Sequence, residues 1–389
     1  MCDTSALVNP LAPHTTQPTD EGEHPVAVGR RARPLEYIVL AVALVALTVP
    51  LFFDAYRIVA FETTPRDDYA PFLLAMVGER GEGEHRQPEL LARSPRGYRI
   101  LSVAPGIPLY YALPTYEFSQ LEMADDAYLA ATQALTMVSY LATIGVALVV
   151  YALARNRYGA SVLASTLTAV TAILLTLYMG LGGIDPLAVC YIAIMLYLID
   201  RPVAFGVLSL VAIAVNEKIV LVFAALLVGR WLWSFVRRSD VGRFTAYPQL
   251  IVAVVSPVLY LLARSALHLP GNGTALRLGD VGSDLAIALV QLPTLKGLVV
   301  TIIPVGVLVA LVVVAARVTR RPPDNGSVFH VPDVLVLAFF VFLATQVMVG
   351  DLFNGGRIAM HTFPLYVGAL ARWLDVVTVP HAAARRPPV

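Results

Sequence analysis

The feature that most constrains this chain is its succession of apolar runs, several of them about 18 residues or longer, separated by short polar stretches. That is the length a helix needs to cross the hydrocarbon core of a bilayer. Lipid offers no hydrogen bonds to the backbone, so each run must satisfy its own N–H and C=O groups as a helix. Composition agrees. The 389 residues are 58% hydrophobic and 14% charged, whereas a soluble domain is about one quarter charged. The expected fold class is all-α integral membrane. The net charge of +1 says nothing about nucleic acid, but no strongly basic domain stands apart, so nucleic acid is not expected as a partner. Cys2 lies in a tail and Cys190 in an apolar run, so no disulfide or cysteine-based metal framework is available.

Residues 1–29 mix Pro, Thr, Glu and His without an apolar core and read as a disordered cytosolic tail. Arg30, Arg31 and Arg33 then precede the first apolar run, Leu35–Phe53. Basic residues stay in the cytoplasm, so this span runs outward. A polar stretch, Asp54–Tyr98, follows. Next comes Ile100–Pro114, short and interrupted by Pro105 and Pro108, which is expected to be re-entrant or interfacial. Thr115–Asp126 is acidic and lacks Lys and Arg. Residues 54–127 are therefore expected to form one large outer-face loop with short helices.

Further spans are expected at Tyr128–Ala152, Ala160–Met179, Ile184–Ile199, Pro202–Val215, Ile219–Val236, Leu250–Ala266, Gly297–Ala316, Val331–Gly350 and Ile358–Val376. Arg155, Arg157, Arg201, Arg237, Arg238, Arg243, Arg317, Arg320, Arg321, Arg385 and Arg386 all fall at inward ends of this arrangement. The expectation is about ten transmembrane helices in a domain covering 30–376, with cytoplasmic termini and a cytosolic tail at 377–389. High Ala, Val and Arg content suggests a bacterial cell, and hence a multi-pass protein of the inner (plasma) membrane.

Val203–Val236 is about 34 residues long, whereas two crossings need about 40. Yet it contains Asn216-Glu217-Lys218 in its middle and Arg230 near its end. A single span would put Arg237 and Arg238 outside, so a short hairpin is expected, its tip below the outer membrane surface. Trp231 and Trp233 mark the inner interface.

Ionisable groups at membrane depth are costly and are functional candidates by default. Here they gather on the outer side: Asp54, Asp67, Asp68, Arg99, Asp185, Glu217, Lys218, Asp351, Arg357 and His361. Asp67 or Asp68 suits a general base oriented by its neighbour, and equally a solvated turn or helix cap. Asp54 is a rival base, or simply the interfacial end of the first span. Arg99 suits a bidentate phosphate contact, or snorkelling to headgroups. Asp185 reads as a helix N-cap before Pro186, a role compatible with a site. Glu217 and Lys218 are adjacent and point about 100° apart on a helix, so each needs another partner or a polar cavity. Arg357 and His361 are four apart and would share a helix face, with Gly355 and Gly356 before them. The histidines form no metal set. Asp67 with Asp68 could help hold a hard divalent cation, and no cofactor is otherwise indicated.

The order of these features resembles the GT-C glycosyltransferase superfamily of polytopic membrane enzymes. The matching stretches are Asp67-Asp68-Tyr69-Ala70-Pro71-Phe72, Tyr98-Arg99-Ile100-Leu101, Ile184-Asp185-Pro186 and Asn216-Glu217-Lys218, with Arg357 and Pro364 late in the chain. They spread over roughly Leu35–Val376. Many relatives carry Arg-Glu in the hairpin where this chain has Glu-Lys. The resemblance implies a polyprenyl-phosphate sugar as donor, a lipid or glycan acceptor hydroxyl in the cell envelope, and transfer on the outer face. It implies Asp67 or Asp68 as base, with Asp54 as the rival. Arg99, Lys218 and Arg357 would bind the donor phosphate, and Tyr69, Asp185, Glu217 and His361 would line the site. The product would be a glycolipid or other envelope glycan. A membrane transporter or lipid-linked glycan flippase is the alternative, since buried charges and a broken hairpin suit that class too. A non-catalytic member of an envelope assembly complex is a third.

Overall fold

In the computed structural model of the chain, the described residues are 32–62, 69–79, 99–114, 126–178, 184–237, 251–266, 286, 290, 293–318, 333–340 and 359–378, with 55–62 and some later positions described by backbone alone. Every regular element among them is helical. Helix α1 is Pro34–Glu62, α2 Ala70–Val77, α3 Ile100–Val103 and α4 Gly106–Ala112. Helix α5, Asp126–Ala152, runs on into a π-helical turn at Leu153–Arg157. Helices α6 (Val162–Tyr178), α7 (Asp185–Tyr197), α8 (Pro202–Val215) and α9 (Glu217–Arg237) follow. Later come α10 (Ser256–Ala266), α11 (Ile303–Val318), a helical segment at 333–340, and a 3-10 stretch, Met360–Tyr366, that leads into α12 (Val367–Thr378).

Three stretches are long and apolar enough to cross a membrane: Pro34–Asp54, Asp126–Arg157 and Glu217–Val236. Val162–Leu177, Asp185–Tyr197 and Pro202–Val215 are apolar but shorter. The 13 residues of α7 rise about 20 Å, against the ~30 Å of a hydrocarbon core. Helix α8 starts immediately afterwards, with Pro202 in its first turn and Arg201 held outside the helical region at φ −104°, ψ 91°. The described residues thus contain three full-length spans plus shorter apolar helices, where the sequence led us to expect about ten spans. The first apolar span ends at Asp54, and α1 continues beyond it to Glu62 with Asp54 exposed. His361 lies in a 3-10 stretch rather than an α-helix, and Arg357, expected on the same face, lies outside the described residues.

The helices alternate between two polar ends. At one end, Tyr151 donates to Glu36 at 2.7 Å and Arg155 lies 3.6 Å from the same carboxylate. Asn156 accepts from the Ala32 N–H and donates to Tyr37, both at 3.1 Å. Arg157 pairs with Asp200, and the Ser161 N–H donates to Asp375 at 3.1 Å. This end joins the start of α1, the end of α5, the start of α6 and the ends of α7 and α12. The π turn widens the end of α5 enough for Arg155, Asn156 and Arg157 to serve different partners, and Gly159, at φ 64°, takes the left-handed turn into α6. At the other end, Gln133 near the start of α5 donates to Pro114 O at 2.9 Å, and Ser102 donates to Val215 O at the end of α8.

The core is built around α7. Ala188, Val189, Ile192, Met195 and Leu196 are buried and pack with Phe205 of α8, Phe223 of α9 and Phe363. Hydroxyls buried inside apolar helices donate to their own i−4 carbonyls: Thr168 to Ala164 at 2.7 Å, Thr176 to Ala172 at 2.7 Å and Ser209 to Phe205 at 2.7 Å. This satisfies them without a partner helix. Outward, Leu35, Ile38, Val39, Val42 and Leu47 of α1 are exposed, an apolar surface that suits lipid rather than water.

Close backbone approach fixes one contact. A Cβ on Gly229 would lie 2.7 Å from Ala338 N and 2.9 Å from Val334 O. Gly229→Ala therefore pushes α9 off the 333–340 helix. Overpacking of this kind costs about 1–3 kcal/mol and should lower the thermal midpoint of the purified protein. Gly306→Ala, where nothing lies within 4 Å, should leave it level or raised. Equal midpoints for the two variants would refute this packing.

Candidate functional site

The second polar end gathers most of the candidate residues that are described. Arg99 stands directly before α3, where the chain turns in toward the bundle, and Glu217 is the first residue of α9. The guanidinium meets the carboxylate with two nitrogens: Nε donates to Oε2 at 2.8 Å and Nη2 to Oε1. A third nitrogen, Nη1, donates to the Tyr69 hydroxyl at 2.8 Å. This bidentate geometry is the strong, oriented form of a charge-assisted bond. It ties the α3–α4 piece and the start of α2 to the first turn of α9.

Lys218 turns elsewhere. Its Nζ donates to Asp185 Oδ1 at 3.0 Å, and His361 Nε2 lies 3.3 Å from the same oxygen. Asp185 is 3% exposed and His361 is fully buried. Asp185 occupies the first turn of α7, where the positive end of the helix dipole favours a carboxylate. Neighbours in sequence, Glu217 and Lys218 thus serve two separate ion pairs about 100° apart around α9.

Helix α3–α4 is the expected re-entrant piece. It breaks at Ala104-Pro105 and buries Ser102, Val103 and Gly106. Val103 packs with Leu73, Leu74 and Leu135, and Ser102 reaches Val215 O. The piece is therefore wedged between α2, α5 and α8, while Ile100 and Tyr111 stay exposed.

Tyr69, Arg99, Asp185, Glu217, Lys218 and His361 are thus brought together in two linked groups. Asp54 carries no polar contact to either group among the described residues. Asp67, Asp68, Arg357 and Asp351 lie outside the described residues, so no geometry is assigned to the expected base or to the third cation. Among the described residues no group of three or more His, Cys, Asp or Glu side chains could hold a metal ion.

Two residues of this end were not singled out by the sequence. Ser102 gave no signal. Asn216 did: an Asn directly before an acidic residue and an apolar run is a helix-start pattern. In the structure it caps α9, its Oδ1 accepting from the Lys218 N–H at 3.1 Å. No known protein family, no characterised protein and no solved structure matches this chain.

Proposed function

We propose that the chain is a membrane glycosyltransferase that moves a sugar from a polyprenyl-phosphate donor to an acceptor hydroxyl on the outer face. The observation that carries the reading is the gathering of two cations, two carboxylates, a tyrosine and a buried histidine from separate segments at one end of an apolar bundle. The opposite end carries Arg155 and Arg157 and the start of α1 behind Arg33. By the positive-inside rule that end is cytoplasmic and the site end faces outward.

In this reading Asp67 or Asp68 takes the proton of the acceptor hydroxyl. The acceptor oxygen bonds to the anomeric carbon while the bond from that carbon to the phosphate oxygen breaks. Polyprenyl phosphate leaves from the opposite face, so configuration inverts and no second nucleophilic carboxylate is needed. The phosphate gains charge as it departs. Arg99, Lys218 and Arg357 are the cations that stabilise it. Glu217 and Asp185 hold Arg99 and Lys218 in place through their ion pairs.

The test is transfer from a panel of polyprenyl-phosphate sugars to lipid and glycan acceptors by purified protein. Asp67→Asn or Asp68→Asn should lower turnover by about 100-fold or more, the scale of losing a general base, with folding intact. Full activity in both variants and in Asp54→Asn would remove the base assignment. A transporter or flippase is the second reading. It is favoured by the helix break at Asn216 and by ion pairs inside an apolar bundle. Movement of an intact labelled donor across proteoliposomes, without sugar transfer, would select it.

A further inference from the structure

One contact at this end joins the two sides of the proposed reaction. Tyr69 follows Asp67-Asp68 in the chain, the pair proposed to carry the base. Its hydroxyl accepts from Arg99 Nη1 at 2.8 Å, and Arg99 is one of the cations assigned to the departing phosphate.

The hydroxyl is a fixed point. Tyr69 directly precedes α2, and its carbonyl accepts from the Leu73 N–H at 3.0 Å. Its half-buried ring packs against the cluster formed by Phe72 and Leu73 of α2, Val103 of α3 and Leu135 of α5. A tyrosine turns about only two side-chain bonds, so a ring wedged in this way leaves its hydroxyl little freedom. The guanidinium is the opposite case, because it ends a long stem with many rotamers. Two bonds to Glu217 align it with the carboxylate. Glu217 is itself a flexible side chain, so with those bonds alone the pair could swing as one body. A third bond, from another nitrogen to another segment, removes that swing. The three groups stand directly before α2, directly before α3 and at the start of α9.

We propose that Tyr69 is a positioning residue for transfer, its hydroxyl fixing the plane of the Arg99 guanidinium so that the cation is aimed at the departing phosphate. The inference rests on the glycosyltransferase reading and adds to it a residue that acts through Arg99 rather than on the substrate. Charge on the phosphate grows only as its bond to the anomeric carbon breaks. Alignment of the cation is therefore felt in the transition state more than in the bound donor. Small misplacements of such groups cost up to about 100-fold in rate.

The test is a cycle of rates on the full chain in phosphatidylcholine nanodiscs. Polyprenyl-phosphate hexoses and pentoses are the donors, and the one the wild type transfers fastest is carried through. Tyr69→Phe keeps the ring in its apolar seat and removes only the acceptor. It should lower kcat by about tenfold or more, the scale of one hydrogen bond to a charged group. KM for the donor and the thermal midpoint should stay unchanged. In an Arg99→Ala background, which leaves the hydroxyl no guanidinium to hold, Tyr69→Phe should cause no further loss. Arg99→Met is the background if the Ala variant does not fold. Wild-type kcat in Tyr69→Phe overturns the role and leaves the glycosyltransferase reading standing. So does a loss that persists without Arg99, because the hydroxyl would then act on the substrate itself. A loss confined to KM, or one that follows a lowered thermal midpoint, overturns it as well. Failure of the wild type to transfer any of the donors overturns both the role and the reading.

Discussion

Asp185→Ala is expected to be among the most damaging single substitutions in this chain, in stability and, under the proposed function, in transfer. Asp185 is nearly fully buried at the start of α7, and its Oδ1 is shared by Lys218 and His361. Removing the carboxylate takes away the partner of the Lys218 ammonium and of the buried His361 ring nitrogen. Breaking a buried pair by deleting one partner costs about 3–5 kcal/mol. The Lys218 side chain is 19% exposed, which places this pair near the lower figure. Removing both charges with shape retained is a different matter and is often nearly neutral. The double variant Asp185→Asn with Lys218→Met should therefore recover most of the lost thermal midpoint. Under the proposed function it should not recover transfer, because one of the cations assigned to the departing phosphate is gone. Thermal unfolding in detergent, beside a transfer assay, separates the two effects. If the double variant is as unstable as Asp185→Ala, the pair is not what Asp185 contributes to folding.

The second large effect is expected at Arg99. Its guanidinium meets Glu217 through two nitrogens and Tyr69 through a third, a fork that an ammonium cannot reproduce. Arg99→Lys should therefore behave more like Arg99→Ala than like the native residue. Either change leaves the Glu217 carboxylate without its partner and loosens the α3–α4 piece from α9. The Arg99→Ala and Glu217→Ala pair should show a stability coupling of about 1.5–3 kcal/mol in a double-mutant cycle, the scale of a hydrogen-bonded charge contact. Simple additivity of the two substitutions would deny the contact. Transfer should fall by about 100-fold or more in Arg99→Lys if the same guanidinium stabilises the departing phosphate.

Much of the frame was legible in the residues. Apolar length dictated helices, because backbone groups facing lipid have no other way to be satisfied. The one-sided placement of Arg99, Asp185, Glu217, Lys218 and His361 followed from where charges interrupt the apolar runs. So did the need for separate partners at Glu217 and Lys218, since helix geometry alone turns adjacent side chains apart. The short hairpin was visible in a stretch too long for one crossing and too short for two, and the chain does break there, at Asn216.

Pairing was not legible. Arg99 and Glu217 are separated by 118 positions, Asp185 and His361 by 176. Nothing local distinguishes Arg99 with Glu217 and Lys218 with Asp185 from the opposite exchange. The choice belongs to the packing of α3 against α8 and of α7 against the 3-10 stretch. Helix lengths were also decided in three dimensions. The apolar span ends at Asp54, as hydropathy indicated, yet the helix itself runs on to Glu62. The last span looked α-helical by composition, yet it enters as a 3-10 stretch containing Pro364, which cannot donate an i−4 bond.

The sequence by itself therefore determined that this protein is helical and apolar, and that the adjacent Glu217 and Lys218 must find separate partners. Only the tertiary structure decided which cation faces which carboxylate, and that the Tyr69 hydroxyl meets Arg99. The physical reason is range. Periodicity and solvation act over a few residues and are written into neighbouring letters, whereas an ion pair between segments exists only once packing has brought those segments together.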